Sequence, residues 1–514
     1  MANKHLKLVR WFIGIVGGVL VGLWIAVAAV SRAPILQKKL IETLDAQMDA
    51  DVQLESFTVD TFPTLRIHGD NLRLRLKGQQ ERAPFIEIRH FEVTGGLFGL
   101  LRKQRQFRTV ELEGLRITIP PRTRDDREAG KRTASSTVEG PVLIDHVIAK
   151  DAQLILVPRD PRKEPKIWSI HNLDLESVGF NRAMPFVATL TNPIPKGEIA
   201  TRGTFGPWVK GEPGLAPVQG TYSFNNADMN TIKGIGGILT STGEFTGTLE
   251  KIDVNGKTSV PDFSIDVGGT PVPLKTEFHA VVDGTNGNTY LKQVKAMLGE
   301  TPIEAAGAIE SRPGVKGRFV DLDVTIRNGR IQDVLRLAVK AEKPVMLGQI
   351  ALQAKLLLPP GQEKVVDRLD LAGRFVMEGA SFTDRAVQDQ LANFSRRARG
   401  MKPDAPVGRI DSEMRGQFVL RDGTLRLNPL GFSLPGANVQ IRGAYGLRSQ
   451  QMDFTGTLSM KATVSQAAGG IKGFLLKPFD PLFRENGKGA VLPITIKGPR
   501  EKPKFGLEWG KVLK

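Results

Sequence analysis

At 514 residues the chain exceeds what one ordinary hydrophobic core organises, so several domains or an extended architecture are expected. Its 71 Lys and Arg against 54 Asp and Glu give a net charge of +17, which suits an acidic partner surface such as nucleic acid or anionic lipid. The basic residues are nevertheless scattered apart from short clusters at 102–105 and 396–399, and 6% aromatics leaves few stacking platforms for single-stranded nucleic acid.

Cysteine is absent, which excludes disulfides, thiolate nucleophiles and Cys-ligated zinc. Residues 1–10 read as a cytoplasmic tail with Lys4, Lys7 and Arg10. Residues 11–30, WFIGIVGGVLVGLWIAVAAV, form an uncharged apolar run. Twenty helical residues span a hydrocarbon core of about 30 Å. The spacing predicts a transmembrane helix anchored by Trp11, Phe12, Ile13, Ile15, Val16, Leu20, Leu23, Trp24 and Ile25. A cleaved signal peptide is the rival, because AVA at 26–28 resembles a cleavage site, but the run exceeds the usual signal core. Both readings put the rest of the chain outside the cytoplasm.

Residues 34–48 read as an amphipathic helix, with Leu36, Leu40, Leu44 and Met48 on one face and Pro34 in its first turn. From Val52 the period changes to two. Leu65 and Ile67, then Leu72, Leu74 and Leu76, then Ile86 and Ile88, then Val110 and Leu112, then Leu115, Ile117 and Ile119 mark short strands with one apolar face. A short helix is expected at 95–104 and a solvated, disordered loop at 121–140. Strands resume at 142–144 and continue to 175, whereas 190–240 is rich in Gly, Pro and Asn and reads as a boundary.

The second half repeats this grammar, with Phe263, Ile265 and Val267 among its strand-like positions. Helices are expected at 330–341, at 383–399 with Thr383 as N-cap, and at 465–476. The clearest strands lie from 416 to 464. In 451–465 the residues Met452, Phe454, Gly456, Leu458, Met460, Ala462 and Val464 point one way. Strands follow strands, so about 25 of them are expected in a mainly antiparallel arrangement.

The chemical motifs read as turns and caps. Six histidines share no metal spacing, and neither GxSxG nor Walker A occurs, so no catalytic residue, metal or cofactor is assigned. DGTNGNT (283–289) offers oxygens suited to calcium, but it lacks the EF-hand length and reads as a hairpin turn. RRAR (396–399) complements a helix dipole, with a lipid headgroup contact as the alternative. The one-faced strands outnumber the helices that could cover them. Two solutions remain open, namely sandwiches that bury their own faces or a long gutter lined for acyl chains.

A resemblance bears on that choice. TFPTLRIHGDNLRLRL (61–76) after the amphipathic helix, FEVTGGLFGLLRKQRQFRTVELEGLRITIP (91–120), FVMEGASFTDRAVQDQLANFSRRARG (375–400), the segment 418–476 and FRENGKGAVLPITIKGPREKPKFGL (483–507) resemble the AsmA-like proteins of diderm bacteria along nearly the whole chain. The resemblance implies a single-pass inner-membrane anchor and a periplasmic body: a mainly β fold, an elongated, twisted, mostly antiparallel sheet curled into a groove, with a few short helices. It implies an N-terminal β region at 31–189, a middle region at 190–374 and a C-terminal region at 375–514. It further implies phospholipid traffic between membranes and envelope integrity, similar in plan to bridge-like lipid transfer proteins. Phospholipids, the membrane and other envelope proteins become the expected partners, and nucleic acid does not. Leu72, Leu74, Leu76, Ile86, Ile88, Leu115, Ile117, Phe263, Ile265, Val439, Ile441, Met452, Phe454, Leu458 and Met460 become the candidate lipid-lining residues. A structural or chaperone-like role in outer-membrane protein assembly, through exposed strand edges, is the alternative.

Overall fold

The structure, a computed structural model, describes residues 38, 41–42, 50–60, 64–76, 84–95, 105–119, 142–157, 165–179, 182–207, 213–266, 269–313, 315, 317–339, 341–402, 406, 410–463, 489–499 and 502–507. The predicted membrane span 11–30, the loop 121–140, the helix at 465–476 and most of the helices at 34–48 and 95–104 lie outside these residues. Among the described residues no helix is long and apolar enough to cross a membrane.

The fold is mainly β, a long mixed sheet with few helices. Contacts divide the chain into two units, one of residues 1–228, 239–256 and 281–288, the other of 229–238, 257–280 and 289–514. The strands of the first part of the chain are β1 Ala50–Gln53, β2 Ser56–Asp60, β3 Leu65–Leu76, β4 Ile86–Gly95, β5 Arg105–Glu113, β6 Arg116–Ile119, β7 Val142–Leu156, β8 Lys166–Val178, β9 Met184–Pro193, β10 Lys196–Phe205 and β11 Pro217–Asp228. Then come β12 Ile235–Gly236, β13 Ile238–Thr248, β14 Lys251–Ile265 and β15 Val272–Val282.

In the first unit β3 pairs with β1, β2 and β4, and β7 through β11 form an antiparallel ladder. The mainly antiparallel order expected from the sequence has an exception at β7, to which β5 and β6 both run parallel. Parallel pairing needs a long crossover, and 120–141 supplies the chain for one. Between β5 and β6 the chain kinks at Gly114, whose φ of 65° suits the left-handed region. The Gly114 N–H still donates to the Lys150 carbonyl, so the kink keeps its place in the sheet. The segment 190–240, read from sequence as a boundary, is largely strand: β9, β10, β11 and the start of β13.

The second unit holds β16 Thr289–Leu298, β17 Thr301–Glu310, β18 Phe319–Arg330, β19 Met346–Leu358, β20 Asp370–Phe382, β21 Ser412–Arg421, β22 Thr424–Leu434, β23 Ala437–Gly446, β24 Gln451–Met460, β25 Ala490–Pro499 and β26 Lys504–Leu507. Each pairs antiparallel with the next, so the connections alternate between two rims. One rim carries α1 Ile331–Ala338 after β18 and α3 Arg385–Ala398 after β20. The other carries short turns and the one-turn α2 Val365–Arg368. The N-cap of α3 is Asp384, whose carboxylate accepts from the Val387 N–H at 3.0 Å, and not the expected Thr383. Thr383 donates instead to the Pro344 carbonyl at 2.5 Å.

Candidate functional site

The alternation of β17 to β25 is in phase from strand to strand. Leu322 pairs with Leu356, Leu356 with Leu371, and Leu371 with Leu420. Further along, Leu430 pairs with Ile441, Ile441 with Gly456, and Gly456 with Ile494. A cross-strand pair shares one face, so these registers make one apolar face across nine strands. Three of its aromatics sit opposite glycines: Phe375 pairs with Gly416, Phe418 with Gly373, and Phe454 with Gly443. The glycines allow close approach between strands. A β-carbon at Gly456 would lie 1.9 Å from the Gln440 carbonyl oxygen, and one at Gly443 would lie 2.0 Å from that of Asp453. Gly307 and Gly373 show the same approach, at 2.0 and 2.3 Å.

Among the described residues, helices cover this face only along one rim. Ile331 of α1 is buried with Ile326, Met346, Ile350 and Ala380, and Val334 and Leu335 pack beside them. Leu391 and Phe394 of α3 pack with Phe432, Leu458 and Met460 around buried Leu434 and Ala437. Leu458 and Met460, expected as lining, are half-buried and pack against this cluster, which includes Ala398 at the end of α3. A cover supplied by residues some sixty positions earlier has no local signature in the strand. Val439 sits between Phe432 and Leu458 beside that rim and is half-buried, and farther from it Ile441 and Met452 are half-buried and Phe454 is 7% exposed.

In the first unit most of the candidates belong to a closed core. Leu72, Leu74, Ile86, Ile88 and Leu115 are all exposed by 3% or less, within a cluster that includes Ile67, Phe91, Phe107 and Val110. Ile117 is partly buried against the same cluster, and Ile41 packs there too. The lining expected of these residues is corrected to core packing, because protein side chains already exclude water from them. Leu76 ends β3, and its side chain lies outside the described residues. Phe263 and Ile265 are half-buried on β14.

Further along the first unit the aromatic–glycine pattern returns. Phe186 pairs with Gly203, and Gly203 pairs with Gly220. A β-carbon at Gly220 would meet the Phe245 ring at 2.7 Å. The Tyr222 and Ser241 hydroxyls share a hydrogen bond of 3.1 Å. Sequence reading missed this stretch because glycines occupy the positions where large apolar side chains would have shown the period. A cleft of about 680 Å³ opens on these strands, lined by Asp174, Glu176, Val187, Arg202, Glu244 and Asp253 among others.

The polar clusters at Asp70 and in the 283–288 loop are engaged in structure. Ser56 Oγ donates to Asp70 Oδ2 at 2.5 Å, and His90 Nδ1 lies 2.7 Å from Asp70 Oδ1. These bonds, that of Ser56 first, hold the Asp70 carboxyl below the usual carboxylate range. The aspartate stands between the serine and the histidine, so the imidazole does not activate the hydroxyl. In the 283–288 loop Asp283 accepts from Thr285 N–H and from Asn286 Nδ2, which makes it the anchor of a turn. Among the described residues no group of three or more His, Asp or Glu is arranged to hold a metal ion.

No protein-family model, curated protein or solved structure matches the chain.

Proposed function

We propose that this chain is an inner-membrane-anchored envelope protein of the AsmA-like kind, whose apolar sheet face binds acyl chains and supports phospholipid transport between the inner and outer membranes. The observation that carries the reading is the in-phase apolar face of β17 to β25, with helices, among the described residues, along one rim alone. A sheet face of that extent in water is unfavourable unless something apolar covers it. Acyl chains would supply the cover, at about 25 cal/mol for each Å² removed from water. The glycines support a curl of the sheet toward that face, because strands approach so closely on one side only where no β-carbon intervenes. The mechanism is passive: tails lie along the face while the headgroup keeps its water.

The test is a photoreactive residue placed in the chain in cells. At Phe375 and Ile441, away from α3, it is expected to capture phospholipid. At Thr455 and Thr457, on the opposite face of the same sheet, it is expected to capture little. Equal capture on both faces would sink the reading. Capture of outer-membrane barrel proteins in place of lipid would favour the chaperone-like role.

A further inference from the structure

The opposite face of the second unit's sheet carries an island of unpaired arginines. Arg415 on β21, Arg426 on β22 and Arg442 on β23 are exposed, and none has an ion pair or side-chain hydrogen bond among the described residues. Several of the charges around them are matched, while Glu413, two residues from Arg415 on the same strand, is exposed. Lys355 lies 3.2 Å from Asp321, whose carboxylate raises the Lys355 pKa above its ordinary value. Arg421 lies 3.1 Å from Asp370, and Lys497 lies 3.3 Å from Asp453. At the island's edge Arg374 has a neutral partner, donating to Gln353 at 2.5 and 2.9 Å. An unpaired group of like charges on adjacent strands opposes folding slightly, so folding does not explain the arrangement.

Two exposed valines sit inside the island. Val376, 42% exposed, pairs with Arg415, and Val419, also 42% exposed, pairs with Arg426. The stem of Arg415 passes over Gly431, where an added β-carbon would lie 3.6 Å from its Cγ. The island covers four strands, roughly 14 Å at about 4.8 Å per strand. Arginine is enriched and lysine depleted at protein contact surfaces, as they are here. A guanidinium also binds a carboxylate through two parallel hydrogen bonds, as an ammonium does not.

We infer that the Arg415–Arg426–Arg442 face, with Val376 and Val419, docks a protein partner that presents carboxylates around a small apolar patch. The site is independent of the acyl-binding face, which lies on the other side of the same strands.

The full chain in detergent is titrated into a fluorescent twelve-residue peptide of alternating Glu and Val, which stands for such a surface. Binding is expected at low salt and is expected to weaken as salt rises. R415Q/R426Q/R442Q is expected to lose at least ten-fold in affinity with its thermal melt equal to or slightly above that of the parent, and V376T/V419T several-fold. R421Q, which removes a paired arginine, is expected to change nothing. Undiminished peptide binding by the triple glutamine variant would overturn the proposal. So would capture of phosphatidylglycerol vesicles through these three arginines without any peptide binding, which would assign the face to a membrane surface.

Discussion

At Gly456 a β-carbon would lie 1.9 Å from the Gln440 carbonyl oxygen and 2.7 Å from the Ile441 Cα, both backbone atoms that cannot swing aside. Gly379 offers the contrast: its φ is 60°, and nothing lies within 4 Å of its added β-carbon. Alanine at Gly379 bears only the left-handed backbone cost of about 1–2 kcal/mol. Alanine at Gly456 must push two strands apart, a form of overpacking that costs about 1–3 kcal/mol and sometimes more. G456A is therefore expected to be at least as destabilising as G379A in urea unfolding, and G456V more so. A G456A midpoint close to that of the parent chain would show that the strands do not approach so closely, and the curl would lose its support. The same reasoning explains why glycine alternates with Phe or Ile along the face, since a large side chain opposite fills the space the missing one leaves.

Helix α1 shows how an element is fixed to the rim. Asp333 in its first turn is 7% exposed and accepts from Thr301 Oγ1 at 2.9 Å and from the Glu300 N–H at 3.1 Å. Thr301, fully buried, also accepts from the Arg330 N–H at 2.9 Å, so one hydroxyl ties the β16–β17 turn to the helix start. Removing the carboxylate leaves buried donors unsatisfied, at a cost of about 1–3 kcal/mol. D333A is expected to lower stability by that amount and to speed protease cleavage near 331–338. D333N, which keeps one acceptor, is expected to lose less, and equal losses would mean that the network does not hold the helix. Alternation made β22 to β24 legible in the sequence, and a 3.6-residue period did the same for α1 and α3. Three features were not legible. The seating of α3 on Leu458 and Met460 depends on tertiary placement, the parallel pairing of β7 depends on a crossover, and β9 to β11 hide their period behind Gly203 and Gly220. At the candidate site the register puts Val439, Ile441 and Met452 on one face, as their alternation implied, whereas Leu72 and Ile88 lie in a core that their own alternation could not distinguish from a groove.

For the whole molecule, two properties are separable: attachment to the membrane and affinity for acyl chains. The proposal assigns attachment to the apolar run 11–30 and affinity to the strands from β17 onward, more than 270 residues later. The net charge of +17 adds attraction to anionic lipid surfaces, but salt screens it within about 10 Å at 0.1 M. Hydrophobic insertion of the run is not screened in that way. Deleting residues 2–31 is therefore expected to move the chain from carbonate-washed membranes to the soluble fraction at physiological salt. The purified truncated chain, offered phospholipid vesicles, is still expected to yield lipid crosslinks from a photoreactive residue at Phe375. Retention on washed membranes after the deletion would show a second attachment point. Loss of the Phe375 crosslinks with the fold intact would place acyl binding at the run, and the sheet would then need another occupant for its apolar face.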